Sequence, residues 1–412
     1  MTAHVRRLLG FALVPATSFL ASLVLLPVIS ARFGAPAWSA VALGQSAGAI
    51  ASILIGLTWP FTGGNAVASS VPGARQRIFA QAIASQAVAF VIAGVAMTAV
   101  VLLIAPDQLL ATVLFGFGVA LNGFSASWYY AGIGRPGALV VNEGVVRLAG
   151  YVVALVCIVA GLGLLSYAVC TVVAGLVMLA ANWRSIMRGS GIRLRPAMVA
   201  EGWRIARAEW FGTLSRVVLG LWTFGGTPLY AATGVRGLAA YSGAMSVQAT
   251  ASNGLNAINN AFIEWIGGAP AGARTRRITA SLVFAVVVVL LVIAGFGIVG
   301  PYVISYMFSG RLHFTRIELL LIGGGIGAAF LLRATQILVL VPLGRESVVY
   351  RTTLVNAVVG LVAFVVAVRI WGFIGGLWAP VVVDLAFLAY YARMLVVGGG
   401  PHSSAADGAS EV

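Results

Sequence analysis

The sequence has no lysine and only ten acidic residues in a chain of 412. Charged residues make up 8% of it, while hydrophobic residues make up 61%. A surface that faces water usually has about a quarter of its residues charged, so this composition excludes a soluble globular protein. It predicts an all-α integral membrane protein, because helices satisfy their own backbone hydrogen bonds inside lipid.

Residues that carry enzyme chemistry are also scarce. Both cysteines, Cys157 and Cys170, lie inside apolar runs, which indicates small core side chains and not a disulfide or a metal site. The three histidines lie at chain ends or in loops. No phosphate-binding loop, dinucleotide fingerprint or metal-ligand spacing appears. We therefore predict no catalytic residue, no cofactor and no metal, in a protein that is not an enzyme.

What the chain does contain is a succession of apolar runs, each near the roughly 20 residues that a helix needs to cross a bilayer. The first follows a charged start, and we interpret it as an uncleaved span. The runs predict an N-terminal six-helix lobe (1–183), a basic connector (184–207), a C-terminal six-helix lobe (208–397) and a disordered tail (398–412). The twelve predicted spans are 8–30, 39–60, 78–104, 108–131, 144–163, 165–183, 208–231, 237–262, 278–300, 315–341, 350–369 and 374–397.

The arginines indicate how these spans are oriented. The net charge is +15, and with the N-terminus inside, 18 of the 25 arginines fall at cytoplasmic ends and five at outer ends. Basic residues in short loops follow the cytoplasmic side of a membrane and its anionic lipid. We therefore expect cytoplasmic termini, a connector that lies against the cytoplasmic leaflet, and no nucleic-acid partner.

Two arginines fall inside predicted spans, where charge is costly and indicates either function or a buried pair. Arg216, in the seventh span, either lines an aqueous cavity or forms a structural ion pair. Arg333, in the tenth, has the same two interpretations, and its candidate ion-pair partner is Asp384 in the twelfth. An arginine is always charged and its planar fork suits a phosphate.

The eighth predicted span carries a row of polar residues. Their spacing places them on one side of a helix, where amides can hydrogen-bond sugar hydroxyls along a cavity wall. The alternative is interhelical hydrogen bonding. The row consists of Gln248, Ser252, Asn253, Asn256, Asn259 and Asn260.

Coupling of transport to H⁺ or Na⁺ would need an acid in or near a span. Asp384, Glu209 and Glu318 are the candidates, and each is also a candidate for an ion pair. Glu143 and Arg147, four residues apart, fit a simple pair at the membrane interface. Trp128, Tyr129 and Tyr130 fit an aromatic belt there.

Two patches of sequence carry a resemblance to a known family. The first places Trp128, Tyr129 and Gly132 at the cytoplasmic end of the fourth predicted span and Arg147 at the start of the fifth. The second is the segment from Gly234 to Gly268, with small residues and a tyrosine at positions 237, 240, 241 and 244. Both resemble the Wzx-type polysaccharide-biosynthesis flippases of the multidrug/oligosaccharidyl-lipid/polysaccharide (MOP) exporter superfamily.

This resemblance implies a MATE-like arrangement of two six-helix lobes around a central cavity that opens alternately to either side. It implies outward movement of a polyprenyl-pyrophosphate-linked oligosaccharide, with cavity arginines on the phosphates. Arg216 fits that role by position, and Arg333 is the second candidate. A partner polymerase and glycosyltransferases would act on the same substrate.

The predicted function is therefore a lipid-linked oligosaccharide flippase in a bacterial plasma membrane. One alternative is a drug or cation exporter of the same superfamily, which would need an acidic cavity. Another is a membrane polysaccharide polymerase, which would need a sizeable loop to hold its acceptor, whereas the predicted outer loops are short.

Overall fold

The computed structural model of the chain describes residues 2–105, 109–192, 195–208, 210–267, 271–341, 343 and 345–397. Nearly all of these residues are helical, and no strand occurs within those ranges. The predicted all-α fold class is confirmed. We call α1 to α8 the N-terminal half and α10 to α16 the C-terminal half, with α9 between them.

The N-terminal half contains several helices that are interrupted by short irregular turns. A 3-10 turn, Leu121–Phe124, follows α4, and a π-helical segment, Val140–Val145, joins α6 to α7. The helices are α1 (Thr2–Gly56), α2 (Trp59–Ala68), α3 (Pro72–Ile104), α4 (Leu109–Ala120), α5 (Ser127–Gly132), α6 (Pro136–Leu139), α7 (Val146–Val159), α8 (Gly163–Met187) and the connector helix α9 (Pro196–Ala208).

The C-terminal half has a second π-helical segment, Thr335–Leu340, which extends α15. Its helices are α10 (Trp210–Phe224), α11 (Gly226–Ala232), α12 (Leu238–Gly267), α13 (Ala271–Ile298), α14 (Gly300–Met307), α15 (Arg316–Ala334) and α16 (Glu346–Val397).

Two of these helices contain a sharp glycine kink. Gly34 in α1 has φ 77° and Gly372 in α16 has φ 61°, backbone conformations that favour glycine because other residues have a Cβ. In α16 the chain folds back at this point, since Asn356 and Asp384 are joined by a hydrogen bond. A straight helix would hold residues 28 apart at roughly 42 Å from each other. The kinks separate predicted spans one from two and eleven from twelve.

The predicted number of spans is not reproduced. Within the described residues, eight helical segments are long and apolar enough to cross a membrane. One of them, Ser347–Val396, contains both the eleventh and the twelfth predicted spans. The first, seventh and eighth predicted spans are not among the eight, and most side chains of the first lie outside the described residues. The seventh is divided between two short helices, α10 and α11, and the eighth carries the polar row of α12.

The two halves meet along α1, which packs on α4 in its own half and on α10 and α12 in the other. The helices α13, α15 and α16 form the body of the C-terminal half. The core of the N-terminal half is rich in aromatic residues, with Phe79 close to the rings of Trp128, Tyr129 and Trp183. Trp128 and Tyr129 are 5% and 6% exposed, so the predicted aromatic belt is wrong: these side chains belong to the core.

Candidate functional site

Arg216 lies at a junction between the two halves. It is half-buried in α10, and its guanidinium donates a hydrogen bond to the backbone carbonyl oxygen of Leu57, just after the end of α1. The helices α10 and α1 approach closely here: a Cβ added to Gly220 would lie 2.3 Å from Cδ1 of Ile53. The contact with Leu57 was not predicted, since no sequence pattern joins positions that are 159 residues apart. It places a permanent positive charge where the halves meet.

Arg333 does not join Asp384, so the predicted ion pair is wrong. The Arg333 side chain is exposed, whereas Asp384 is buried and accepts a hydrogen bond of 3.2 Å from Nδ2 of Asn356. Arg333 lies 17 residues beyond Arg316, which is roughly 26 Å along a helix, so it approaches the predicted cytoplasmic boundary. An arginine at that depth can extend its charged end to the headgroups, which removes the need for a buried partner.

Asp384 belongs to a polar row between the two arms of α16. The carboxyl group is 5% exposed, and its partner Asn356 is 4% exposed. The other amide atom of Asn356, Oδ1, is buried without a hydrogen-bond partner among the described residues. Further along the row, the Tyr391 hydroxyl contacts Thr352 Oγ1 and accepts a hydrogen bond of 3.1 Å from Gln336. Asp384 and Asn356 therefore form a buried, hydrogen-bonded pair in which the amide oxygen of Asn356 stays unsatisfied in the described part of the chain.

The amide row of α12 is described only in part. The backbone of all its members is helical, but the side chains of Asn253, Asn256, Asn259 and Asn260 lie outside the described residues. Gln248 is half-buried, and its side-chain amide lies against α15, where a Cβ on Gly325 would be 3.4 Å from Nε2. Gly325 of α15 thus leaves room for a neighbouring polar side chain.

The two remaining candidate acids have different outcomes. Glu209 lies outside the described residues. Glu318 forms a capping box at the start of α15: its Oε2 accepts a hydrogen bond of 2.7 Å from the backbone N–H of Thr315, and the Thr315 hydroxyl accepts one of 3.3 Å from Glu318. This arrangement satisfies two backbone donors at a helix start. It assigns Glu318 a structural contact at the helix end.

A buried carboxylate that we predicted as interfacial lies in the N-terminal half. Glu143 is 1% exposed, and it pairs with Arg147 at 3.2 Å. It also accepts hydrogen bonds from the Ser125 hydroxyl (2.8 Å), the Ala126 backbone N–H (2.8 Å) and the Asn182 amide (3.1 Å). The prediction of an (i, i+4) pair is correct, but the pair is not a simple one at the surface, because Glu143 is buried within the protein. We call Glu143, Ser125, Ala126, Asn182 and Arg147 the Glu143 cluster.

The Glu143 cluster lies where three helical segments are irregular or meet. Ser125 and Ala126 fall between the 3-10 turn after α4 and the start of α5, and Glu143 is in the π-helical segment before α7. Such irregular turns leave backbone N–H groups without helical acceptors, and in lipid these groups need acceptors from elsewhere in the protein. Here the Glu143 carboxylate accepts the hydrogen bond of the Ala126 N–H. The polar residues around Ser125 and Asn142, which interrupt two apolar runs, were the sequence signal for this site.

On the side predicted to be outer, the turn after α14 contacts α1. The Ser30 hydroxyl donates a hydrogen bond of 2.9 Å to the Phe308 carbonyl oxygen, and Nη2 of Arg311 donates one of 2.7 Å to the Ala31 carbonyl oxygen. The ring of Phe308 packs edge-on against Trp38. We call these bonds the outer contact. Together with Arg216 and Leu57, they join the halves at both predicted faces.

Comparison with known proteins gave matches among solved structures alone: no family model matches the chain, and no curated protein matches it. It is similar to the inward-facing conformation of a multidrug resistance MATE family transporter of the MOP superfamily, with a TM-score of 0.49 and 13% identity over 96% of each chain. For a mutant of the Vibrio cholerae MATE transporter VcmN, the values are 0.46 and 17% over 95% of this chain and 97% of that one. A MOP superfamily transporter from Pyrococcus furiosus, described as having a binding pocket of reverse polarity, gives 0.46 and 13% over 96% of each chain.

Proposed function

We propose that the chain is a flippase that moves a polyprenyl-pyrophosphate-linked oligosaccharide from the cytoplasmic to the outer leaflet of a bacterial plasma membrane. The observation that carries this proposal is the half-buried Arg216 at the junction of the halves. Alternating access requires such a junction to open on one side while the other closes. A partner polymerase and glycosyltransferases would consume and supply the substrate.

Arg216 would bind the pyrophosphate by exchanging one acceptor for another. Its contact with the Leu57 carbonyl is a bond to a neutral oxygen. A phosphate is charged and can accept two parallel bonds from a guanidinium, which makes it the stronger acceptor. Binding of the substrate would then release the contact between α10 and the end of α1, so that recognition and movement of the halves use the same side chain.

The sugars and the charge of the substrate fit the rest of the proposal. Gln248, Asn253, Asn256 and Asn260 would offer amides to the sugar hydroxyls along α12. A pyrophosphate diester carries about two negative charges, so outward movement across a potential that is negative inside gains roughly 4–5 kcal/mol per 100 mV. The membrane potential would therefore be a sufficient driving force for export.

Coupling to a cation gradient would use Asp384. Its carboxyl group is 5% exposed and has a neutral hydrogen-bond partner, Asn356, so uptake of a proton or a Na⁺ ion would neutralise a buried charge. We expect Asp384→Asn to remove any dependence of transport on an imposed H⁺ or Na⁺ gradient in proteoliposomes. Glu318→Gln, which changes the exposed cap of α15, should keep that dependence. If transport by the Asp384→Asn variant still depended on the H⁺ or Na⁺ gradient, Asp384 would not be the coupling site.

The function itself is tested with lipid extracts from cells that lack the protein. We expect an intact polyprenyl-pyrophosphate oligosaccharide to accumulate and to stay inaccessible to reagents added outside. If complete units instead reached the outer face and only their polymerisation failed, the polymerase alternative would lead. If lipid-linked units were exported normally and the cells became sensitive to cationic drugs, the protein would be a drug exporter of the same fold.

A further inference from the structure

The connector helix α9 has two unlike faces. Met198 and Ile205 pack into the core of the N-terminal half, and Gly202 between them lies so close to α3 that a Cβ there would be 2.5 Å from the carbonyl oxygen of Gln81. On other sides of the same helix, Trp203 is 39% exposed and Arg204 is exposed too. The connector is therefore an amphipathic helix that packs on the N-terminal half with one face and exposes Trp203 and Arg204 on its other sides.

The position of α9 along α3 gives its depth. α3 has 33 residues, which is roughly 50 Å of helix, whereas a hydrocarbon core is about 30 Å thick. If α3 crosses the core with its C-terminal end at the outer boundary, the contact at Gln81 and Ser85 lies roughly 29 to 35 Å from that end. α9 thus lies where the hydrocarbon core meets the cytoplasmic headgroups.

Exposed arginines of α3, α8, α9 and the segment between α8 and α9 occur near this level, because α3 contacts α9 at Gln81 and Gln76 of α3 donates a hydrogen bond of 3.0 Å to the Ile186 carbonyl oxygen of α8. Glu201 is the one acid among the described residues of α9 and of α8 from Arg184 onward, so the surface is strongly positive. We call it the arginine surface, and its members are Arg77 of α3, Arg184 of α8, Arg188, Arg195, Arg204 and Arg207, with Trp203 among them.

We infer that the arginine surface binds the headgroups of anionic phospholipids and so attaches the N-terminal half to the cytoplasmic leaflet. Three observations favour this occupant. Clustered arginines next to a spanning helix attract anionic lipid, a tryptophan is typical of the headgroup level, and the calculated depth matches that level. This site is separate from Arg216, and it does not depend on which substrate the protein moves.

Native mass spectrometry of the full-length protein in detergent, with added phosphatidylglycerol or phosphatidylcholine, tests this inference. We expect wild-type protein to retain phosphatidylglycerol in preference to phosphatidylcholine. The variant Arg204→Gln/Arg207→Gln should lose affinity for phosphatidylglycerol by roughly fivefold for each arginine removed. Both side chains are exposed, so its thermal unfolding should match that of the wild type.

The matched control removes two exposed arginines from the predicted outer face, Arg316→Gln/Arg369→Gln. It should retain phosphatidylglycerol like the wild type. An equal loss in both variants would overturn the inference, because binding would then follow net charge and not this surface. Displacement of the lipid by inorganic phosphate at concentrations similar to those of the lipid would also overturn it, since the surface would then be a site for free anions.

Discussion

Replacement of Arg216 by alanine is expected to stop export of the lipid-linked oligosaccharide while the protein remains in the membrane. The substitution removes the charge that would hold the pyrophosphate and the hydrogen bond to Leu57. A hydrogen bond to a charged group contributes about 1.5–3 kcal/mol, so we expect the export rate to fall on the order of ten- to a hundredfold. The measurement is the outer-leaflet fraction of lipid-linked oligosaccharide in cells that carry only the variant.

Two further substitutions separate binding from the contact between the halves. Arg216→Gln removes the charge but keeps a shorter polar side chain with N–H donors, so it should export as poorly as the alanine variant. Arg333→Ala removes the other arginine of the predicted spans, which is exposed, and should have a much smaller effect. Normal export by Arg216→Gln would show that Arg216 serves only to join α10 to α1.

Glu143→Ala is expected to be strongly destabilising. The substitution leaves the Ser125 hydroxyl, the Ala126 N–H and the Asn182 amide without their acceptor, and it leaves Arg147, 21% exposed, without its counter-ion. Removal of one partner from a buried ion pair typically costs about 3–5 kcal/mol. Since Arg147 keeps some contact with its surroundings, we expect about 3 kcal/mol, seen as a lower midpoint of thermal unfolding in detergent.

The half-buried glutamate of the capping box, Glu318, serves as the control for Glu143. Glu318→Ala removes the acceptor of a single backbone N–H, and a cap contributes about 1 kcal/mol, so the loss of stability should be clearly smaller. Should Glu143→Ala unfold like the wild type but fail in export, the Glu143 cluster would belong to the transport mechanism and not to the scaffold.

Composition and apolar runs were sufficient to predict the helical class, because the bilayer leaves few other ways to satisfy a backbone. They also located the two helix breaks that the structure places at Gly34 and Gly372. The length of the apolar runs alone did not predict that α12 is too polar, and α10 too short, to be among the helices that are long and apolar enough to cross a membrane. Those departures occur where polar residues line the contacts between helices.

The candidate site could be predicted less well from the sequence, because the pairing of side chains between spans depends on how each helix is rotated about its axis. Arg333 and Asp384 were matched by charge and depth, yet α15 turns Arg333 outward while Asp384 meets Asn356. Glu143 was assigned to an interface because its near neighbour Arg147 suggested a solvated pair. Its real surroundings come from Ser125 and Asn182, on segments 18 and 39 residues away.

The outer contact has a consequence for how the protein would respond to acid. Ser30 and Arg311 both bind main-chain carbonyl oxygens, of Phe308 and Ala31, and neither bond involves a carboxylate. A closure made of acid and base pairs weakens when its acids take up protons, but a carbonyl oxygen does not titrate in the range where proteins are folded. Closure at this face would therefore keep the same strength on either side of a proton gradient. An effect of that gradient on the transport cycle would then arise at titratable groups outside these two bonds.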